Sequence, residues 1–309
     1  MSLPPLAPVP EDVRRLVYLG SPDLAVPPLR ALVAAGFDIA LVVSQPDRRR
    51  GRGSQLVPSP VKAAALELGL PVSDRVDDAL EVDADLGVVV AFGQIIAPHV
   101  LAALPMVNIH FSLLPRWRGA APVERAILAG DEVTGVCLMV LDHELDSGAV
   151  YRSAEVPIGA DETVDELRSR LVDVGVELLV TGLAEGLGDA VPQDGEVTVA
   201  AKLTPDERMI RWDEPAELVH RRVRLGDAWT TAAGRRLKVW RTRVDAHREL
   251  APGVVAFDED GVVVGTAAGA VELVEVQPEG KPRRSAADWV RGARLGDPPK
   301  LGEPTDPSA

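Results

Sequence analysis

The stretch Leu86-Gly87-Val88-Val89-Val90-Ala91 decides the fold of this chain. It is apolar from end to end, as are shorter runs at residues 16–19 and 39–43, and segments with helical spacing of apolar residues lie between such runs. Strands that are apolar throughout and alternate with helices are typical of a parallel sheet covered on both faces. The sequence therefore predicts an α/β class, with a Rossmann-like, mostly parallel sheet in the first part of the chain.

The pattern changes after a long helix that begins at Thr163, where Glu166 completes a capping box. Glycines and a proline at 186–195 are typical of a linker. Short strand-like runs then predict a small antiparallel β-barrel of the OB type; they lie at 236–244, 253–257, 262–266 and 271–276. The expected organisation is a loose N-terminal extension at 1–12, a catalytic domain at 13–187, a linker at 188–204, the barrel domain at 205–297 and a frayed tail at 298–309.

Composition narrows the class of protein. The 309 residues are 46% hydrophobic and 26% charged, with a formal net charge of −14, which is ordinary for a globular protein and argues against nucleic-acid binding over the whole surface. No apolar run approaches the roughly 18 residues of a membrane-spanning helix, and the N-terminus lacks the pattern of a signal peptide. Cys137 is the single cysteine, so we expect no internal disulfide, a buried strand position for this thiol and a cytoplasmic protein.

Basic residues nevertheless concentrate in two places. Between Arg221 and Arg248 there are nine basic residues against two acids, and Arg48-Arg49-Arg50-Gly51-Arg52 forms the other cluster. A solvated surface is the ordinary explanation of a charge run. A barrel of the OB type that carries a basic cluster is also typical of nucleic-acid binding, and both explanations stay open.

Asn108 and His110 are the first candidates for chemistry. They stand two residues apart at the end of a predicted strand that Pro115 terminates, so their side chains share one face at the edge where α/β sheets bind ligands. Asp146, in Leu145-Asp146-Ser147-Gly148, adds a carboxylate that can orient the imidazole. Such a set suits the binding of an oxyanion and the movement of a proton. The alternatives are a buried histidine bonded to the backbone and an aspartate that only forms a turn.

Other motifs limit the reaction. The turn Gly20-Ser21-Pro22-Asp23 lacks the spaced glycines of a dinucleotide site, and the sequence has neither a P-loop nor a Gly-x-Ser-x-Gly nucleophile. No metal is expected, because no histidine pair has metal-ligand spacing. A mixed metal site is the alternative, comprising His110, Asp142, His143 and Asp146. Direct attack by a substrate nucleophile on a carbonyl remains, which fits acyl transfer to an amine. In such a reaction, Asn108 and His110 are expected to receive the oxyanion, while Asp146 holds the imidazole and helps proton transfer.

These residues resemble the signature of the 10-formyltetrahydrofolate-dependent formyltransferases. The resemblance rests on Asn108-Ile109-His110, the run Ser112-Leu113-Leu114-Pro115 and Asp146-Ser147-Gly148. Further motifs resemble the branch of the family that formylates methionyl-initiator tRNA; they lie at 20–27, 45–53, 59–62, 116–122, 201–204 and 277–281. The resemblance extends over about residues 14–295.

The resemblance implies transfer of the formyl group of 10-formyltetrahydrofolate to the α-amine of methionyl-initiator tRNA, by a monomer without a metal or membrane partner. It implies a catalytic trio of Asn108, His110 and Asp146. The implied folate-binding residues are Phe92, Gly93, Gln94, Ser112, Leu113, Leu114, Pro115 and Asp142. The implied tRNA-binding residues are Arg48, Arg49, Arg50 and Arg52 in one loop and Arg235, Arg236 and Lys238 in the barrel.

Several positions depart from the family pattern. Ser54-Gln55 replaces a usual basic pair, Phe92 replaces a common tyrosine, and Phe111 replaces a small residue. Residues 226–231 replace a Pro-Trp-Pro-Gly-like turn. The trio is unaffected, so these departures concern the binding of folate and tRNA.

Two rival hypotheses remain. One is a sister formyltransferase acting on an amino sugar nucleotide or on glycinamide ribonucleotide, although the predicted barrel argues against the glycinamide version. The other is a non-catalytic nucleic-acid-binding protein, against which the intact trio argues.

Overall fold

The computed structural model describes residues 3–49, 56–258 and 261–302. The chain divides into two compact units. The first comprises Met1–Pro122, Val133–Pro157 and Arg168–Ala200, and the second comprises Val123–Glu132, Ile158–Leu167 and Ala201–Ala309. Neither unit is continuous in sequence, whereas the expected domains were consecutive.

The strands and helices have the following bounds. The strands are β1 (Arg15–Gly20), β2 (Asp38–Val43), β3 (Arg48–Arg49), β4 (Leu56–Val57), β5 (Val72–Ser73), β6 (Leu86–Val90), β7 (Met106–His110), β8 (Arg118–Gly119), β9 (Val133–Val140), β10 (Val150–Pro157), β11 (Val199–Ala200), β12 (Trp229–Ala232), β13 (Arg235–Asp245), β14 (Val255–Asp258), β15 (Gly261–Gly265), β16 (Ala270–Pro278) and β17 (Arg284–Ser285). The helices are α1 (Val26–Ala34), α2 (Pro60–Glu67), α3 (Pro98–Ala103), α4 (Pro122–Ala129), α5 (Val164–Glu185), α6 (Ala216–Arg224) and α7 (Ala286–Val290).

The main sheet of the first unit has the strand order β10-β9-β7-β6-β1-β2-β5. The neighbours from β7 to β5 run parallel, and β9 and β10 are antiparallel additions. Every residue of β6 is buried, as its unbroken apolar sequence predicts for a central strand. The predicted Rossmann-like, mostly parallel sheet is confirmed.

Helix α5 determines which face of β7 is free to hold polar groups. An added Cβ at Gly175 of α5 would lie 3.0 Å from Cγ2 of Ile109, so the missing side chain lets the helix approach this strand closely. Successive side chains of a strand point to opposite faces. Asn108 and His110 therefore share the face opposite to α5, as their spacing predicts.

The second unit contains an antiparallel sheet with the order β12-β13-β16-β15-β14, and β17 pairs with β16. Its core includes Val239, Val271 and Trp289. The predicted small β-domain is confirmed as a half-barrel sheet. The chain at 300–301 bridges the two edges of this sheet. Leu301 pairs with Ala232 in β12, and Lys300 pairs with Val254 just before β14.

This pairing corrects the expectation of a frayed tail over its described part, residues 298–302. Leu301 is buried in the core of the second unit, and its N–H donates to the Gly253 carbonyl at 2.9 Å. Unpaired edge strands are unfavourable, so the pairing gives this Pro-rich segment a structural use. The Pro-rich composition alone had suggested a frayed tail.

The stretch expected to be a loose N-terminal extension also makes contacts where it is described. The Ala7 N–H donates to the Leu101 carbonyl at 3.0 Å, and Nε2 of His143 donates to the Pro4 carbonyl at 2.9 Å.

Cys137 is buried in β9, and burial raises the pKa of its thiol. Over the described ranges, no helix combines the length and the apolar character needed to cross a membrane.

Candidate functional site

Strand β7 brings the first two candidate residues to its carboxyl end. Asn108 is 9% exposed and His110 is 5% exposed. Asn108 pairs in register with Val89 of β6, and His110 pairs with Cys137 of β9. Among the described residues, the Asn108 side-chain amide has no hydrogen-bond partner, so its donors are available to a ligand.

His110 has a protein group opposite each ring nitrogen. Nε2 lies 2.8 Å from the carbonyl oxygen of Trp117, and because a carbonyl only accepts, Nε2 carries the hydrogen. Nδ1 lies 3.6 Å from Oδ2 of Asp146. In neutral His110, the Nδ1 lone pair therefore faces the carboxyl group of Asp146, and a proton that Nδ1 accepts is stabilised there.

Asp146 is held in a strained conformation. Its φ of +50° lies in the left-handed region, which costs a residue other than glycine about 1–3 kcal/mol. The Gly119 N–H donates to Oδ2 at 2.8 Å, and the side chain is 11% exposed. Strained backbone angles are concentrated at functional sites, so the strain at this nearly buried carboxylate favours a functional role for Asp146.

Burial and charge act on His110 in opposite directions. Burial lowers the pKa of its imidazole below the ordinary value of 6.5, while the Asp146 carboxylate and the Trp117 carbonyl oppose that shift. The burial effect is larger, so the net shift of the pKa favours the neutral imidazole. A neutral imidazole beside a carboxylate suits a group that accepts a proton during a reaction.

The segment expected to be a linker forms one wall of this site. Nε2 of Gln193 donates to the carbonyl oxygens of Asp146 and Gly148, both at 2.8 Å. The Trp117 N–H donates to Oγ1 of Thr198 at 2.8 Å, and β11 pairs with β8. No local sequence pattern marks Gln193 or Thr198 as part of the site, because their partners are 47 and 81 positions away.

The predicted folate-binding residues occupy different environments. Ser112 is fully buried, and its hydroxyl donates to the Arg116 carbonyl at 2.6 Å. The Phe92 side chain is buried in the core of the first unit. Both side chains contact the protein itself, and the folate contact expected of these two residues stays a prediction.

The other predicted folate-binding residues are at least partly open to solvent. Gly93 and Gln94 are exposed, and Leu113, Leu114 and Pro115 are half-buried. Asp142 is half-buried, and its Oδ1 accepts the His143 N–H at 2.6 Å. Among the described residues, no group of three or more histidine, cysteine, aspartate or glutamate side chains is placed to hold a metal.

The first predicted tRNA-binding cluster is described in part. Arg48 and Arg49 are exposed on β3, which pairs with β4 as a short antiparallel ladder. The Arg48 guanidinium donates to Oε1 of Gln45. Arg50 and Arg52, and the departures at Ser54-Gln55, lie outside the described residues.

The second predicted cluster combines cations with tryptophans. The Arg236 guanidinium lies 4.4 Å from the centre of the Trp229 ring. Lys238 and Arg283 lie 5.3 and 3.2 Å from the centre of the Trp240 ring. Lys238 also pairs with Asp227, and Arg235 lies 3.8 Å from Glu279, so part of the predicted positive charge is neutralised.

Comparison with family models assigns both units to one class. The model "Formyl transferase" matches residues 14–183, and the model "Formyl transferase, C-terminal domain" matches residues 202–294. The first match includes the whole trio. The second includes the half-barrel sheet. The class is therefore that of two-part formyl transferases.

Relatives narrow this class. The methionyl-tRNA formyltransferase of Roseobacter denitrificans is 47% identical over 300 residues, covering 92% of this chain and 97% of that protein. The chain belongs to the methionyl-tRNA formyltransferase family.

Two solved structures share the fold at lower identity. The N-formyltransferase from Helicobacter canadensis, in complex with folinic acid and dTDP-3-aminofucose, has a TM-score of 0.64 at 15% identity, covering 84% of this chain and 99% of that chain. HypX from Aquifex aeolicus, in complex with tetrahydrofolic acid, has a TM-score of 0.63 at 17% identity, covering 90% of this chain and 47% of that chain. At such identities, the likeness concerns the fold alone.

Proposed function

We propose that this chain transfers the formyl group of 10-formyltetrahydrofolate to the α-amine of methionyl-initiator tRNA, giving N-formylmethionyl-tRNA and tetrahydrofolate. The observation that carries this proposal is the 47% identity to a methionyl-tRNA formyltransferase over 92% of the chain. The arrangement of Asn108, His110 and Asp146 supports it independently, since these groups suit attack of an amine on a carbonyl carbon.

Asn108 is the donor that stabilises the developing negative charge. Its side-chain amide has no partner among the described residues, and it lies at the carboxyl end of β7. His110 is less suited to this role, because its Nε2–H already donates to the Trp117 carbonyl. This assigns oxyanion binding to Asn108, where the sequence had suggested that both residues share it.

His110 and Asp146 move the proton. The His110–Asp146 pair accepts a proton from the amine as its nitrogen bonds to the formyl carbon, and with the proton on Nδ1 the Asp146 carboxylate, 3.6 Å away, stabilises the imidazolium. The Gly119 N–H keeps the carboxylate in position. The oxyanion then re-forms the carbonyl as the bond from the formyl carbon to the donor nitrogen breaks. That nitrogen receives the proton from this pair, which returns the imidazole to its neutral form.

The residues of the site fit a folate formyl donor by their chemistry. 10-Formyltetrahydrofolate supplies the formyl carbonyl, and the chain supplies an unpartnered amide and a proton-accepting pair beside it. Gly93, Gln94, Leu113, Leu114, Pro115 and Asp142 are the predicted contacts that are open enough to reach a ligand.

The cations of both units are proposed to hold the tRNA. Arg48 and Arg49 present exposed guanidinium groups, while Arg236 and Arg283 stack on tryptophan rings in the second unit. Guanidinium groups bind phosphates, and tryptophan faces stack on bases. Arg50 and Arg52 belong to the proposed set by sequence. We further propose a cytoplasmic monomer.

The deciding experiment measures formyl transfer from 10-formyltetrahydrofolate to methionyl-initiator tRNA. Parallel reactions contain methionyl-elongator tRNA, dTDP-3-aminofucose or glycinamide ribonucleotide as acceptor. We expect the initiator tRNA to be used with the highest kcat/KM. Equal or higher kcat/KM for a small amine would assign the chain to a sister activity, and no transfer to any acceptor would support a non-catalytic protein.

A further inference from the structure

Gln193 uses all of its hydrogen-bonding capacity beside the trio. Its two amide hydrogens go to the carbonyl oxygens of Asp146 and Gly148. Its Oε1 accepts from Nε and Nη2 of Arg118, at 2.9 and 2.7 Å. Because carbonyls only accept and guanidinium groups only donate, these partners allow one orientation of the amide.

The two bonded carbonyls belong to the loop that carries Asp146. Asp146 adopts a φ of +50°, a conformation that persists only where the surroundings hold it. The side-chain carboxylate is held by Gly119 and the main-chain carbonyl by Gln193. Without the Gln193 bonds, relaxation of the loop toward ordinary backbone angles would move the carboxylate away from His110.

Arg118 is linked to both groups that hold Asp146, the Gln193 side chain and the Gly119 N–H. It is the partner that orients the Gln193 amide, and it is followed directly by Gly119, whose N–H holds the Asp146 carboxylate. The N–H of Arg118 donates to the Thr198 carbonyl at 2.9 Å. The segments around residues 118 and 193–198 therefore form one hydrogen-bonded frame behind the trio.

We propose that Gln193 is a positioning residue for formyl transfer, which holds the Asp146 carboxylate at the His110 imidazole through the main chain of the 146–148 loop, and that Arg118 orients it for this task. The inference rests on the proposed function only for the choice of acceptor. Gln193 lies in the 188–204 segment, which the sequence marks as a linker. On this proposal, the segment also maintains the geometry of the catalytic trio.

The test compares steady-state formyl transfer by the full-length chain and by the variant Gln193→Glu. The variant keeps the size of the side chain and an oxygen for Arg118, but it directs a carboxylate oxygen at two carbonyl oxygens. We expect kcat to fall on the order of tenfold to a hundredfold, as for other misplacements of catalytic groups. KM for methionyl-initiator tRNA and for the donor should stay within about twofold, because the Gln193 amide makes all of its hydrogen bonds to groups of the chain itself.

A matched control is Val197→Glu, which adds the same charge at an exposed position of the same segment. Normal kcat in this control assigns the effect to the amide contacts of Gln193. An equal loss of kcat in both variants would attribute the effect to added charge and overturn the proposal, as would a normal kcat in Gln193→Glu.

A double-mutant cycle separates positioning from general damage to the fold. If Gln193 acts through Asp146, then adding Gln193→Glu to Asp146→Asn should change kcat by less than about twofold, whereas two independent effects multiply. Multiplying effects would overturn the proposal. The wild-type rate on methionyl-initiator tRNA tests the proposed function separately, and if another amine is the acceptor, the same cycle is run with that amine.

Discussion

His110 is the residue whose surroundings say most about the chemistry. One ring nitrogen is committed to the Trp117 carbonyl, and the other faces a carboxylate at 3.6 Å. Each form of the imidazole is therefore stabilised by one part of its surroundings. Burial favours the neutral form, and Asp146 favours the charged form. A small free-energy difference between these forms is what proton transfer in both directions needs.

The first prediction concerns the titration of His110. Burial lowers the pKa of its imidazole and Asp146 raises it, so Asp146→Asn should lower the pKa further. The measurement is NMR titration of the ring Cε1–H, assigned by comparison with His110→Ala. We expect a midpoint below 6.5 in the wild type and a lower one in Asp146→Asn. A higher midpoint in the variant would contradict the proposed pairing.

The same shift has a consequence for stability. Because the folded chain binds the His110 proton more weakly than the unfolded chain does, this residue contributes stability that is complete above about pH 6.5 and is lost as the pH falls below it. His110→Gln should reduce this loss, which urea titrations at several pH values measure. An unchanged pH dependence in the variant would show that His110 keeps its ordinary pKa.

Asn108 allows a separate test of oxyanion binding. Removing an amide donor of this kind costs about 10²–10³ in kcat in acyl transfer. Asn108→Ala should therefore lower kcat by that order, with KM for methionyl-initiator tRNA nearly unchanged. Steady-state kinetics measure both, and the midpoint of thermal unfolding serves as the control for folding. A loss of less than about threefold would mean that another group binds the oxyanion.

At the scale of elements, the turn between β9 and β10 decides where Asp146 lies. Gly148 follows the turn, and a Cβ added there would overlap the carbonyl oxygen of Val140 in β9. Main-chain atoms of a paired strand have little freedom to move away. The absence of a side chain at 148 therefore lets the loop fold back closely enough for Asp146 to reach His110.

Gly148→Ala should consequently affect both folding and activity. We expect the free energy of unfolding to fall by about 1–3 kcal/mol, as for other overpacked sites, and kcat to fall because the Asp146 loop is displaced. Urea unfolding and formyl-transfer rates measure the two effects. The control is Gly292→Ala, where the nearest atom to an added Cβ is 4.0 Å away. Equal stability of the two variants would contradict the steric argument.

Elements with local signals were predictable from the sequence. The Ser59 hydroxyl accepts the Lys62 N–H at the start of α2, and Thr163 and Glu166 form the expected reciprocal bonds at the start of α5. The shared face of Asn108 and His110 followed from the two-residue period of a strand. In each case, the deciding interaction lies within a few residues.

Features that depend on distant partners were not predictable. Gln193 and Thr198 contact residues that local patterns do not connect with them, and Leu301 is buried by strands far away in sequence. The short elements α3, α4, β12 and α7 were also missed. Such elements are set by tertiary packing more than by their own propensity.

At the scale of the whole molecule, charge is distributed unevenly. The chain carries a net charge of −14, so general attraction to a polyanion is unfavourable. The proposed tRNA binding therefore depends on local cations, such as Arg236 and Arg283 beside their tryptophans. Each phosphate contact makes binding more dependent on salt concentration.

Reversal of these charges should therefore reduce the salt dependence of binding. We expect Arg236→Glu and Arg283→Glu each to weaken binding of initiator tRNA and to lower the slope of log K against log salt by about one. Filter binding at several salt concentrations measures the slope. Arg75→Glu, an exposed position in the first unit, is the control. An equal change of slope in the control would mean that Arg236 and Arg283 belong to an ordinary solvated surface and do not bind tRNA phosphates.

The proposed function uses both units, through the trio of the first and the cations of the second. The most direct test is the ratio of kcat/KM for methionyl-initiator tRNA to that for a small amine acceptor, with 10-formyltetrahydrofolate as donor. We predict a large preference for the initiator tRNA in the wild type, abolished activity on both acceptors in His110→Ala, and unchanged tRNA affinity in that variant. A wild type that uses the small amine as well as the tRNA would contradict the assignment.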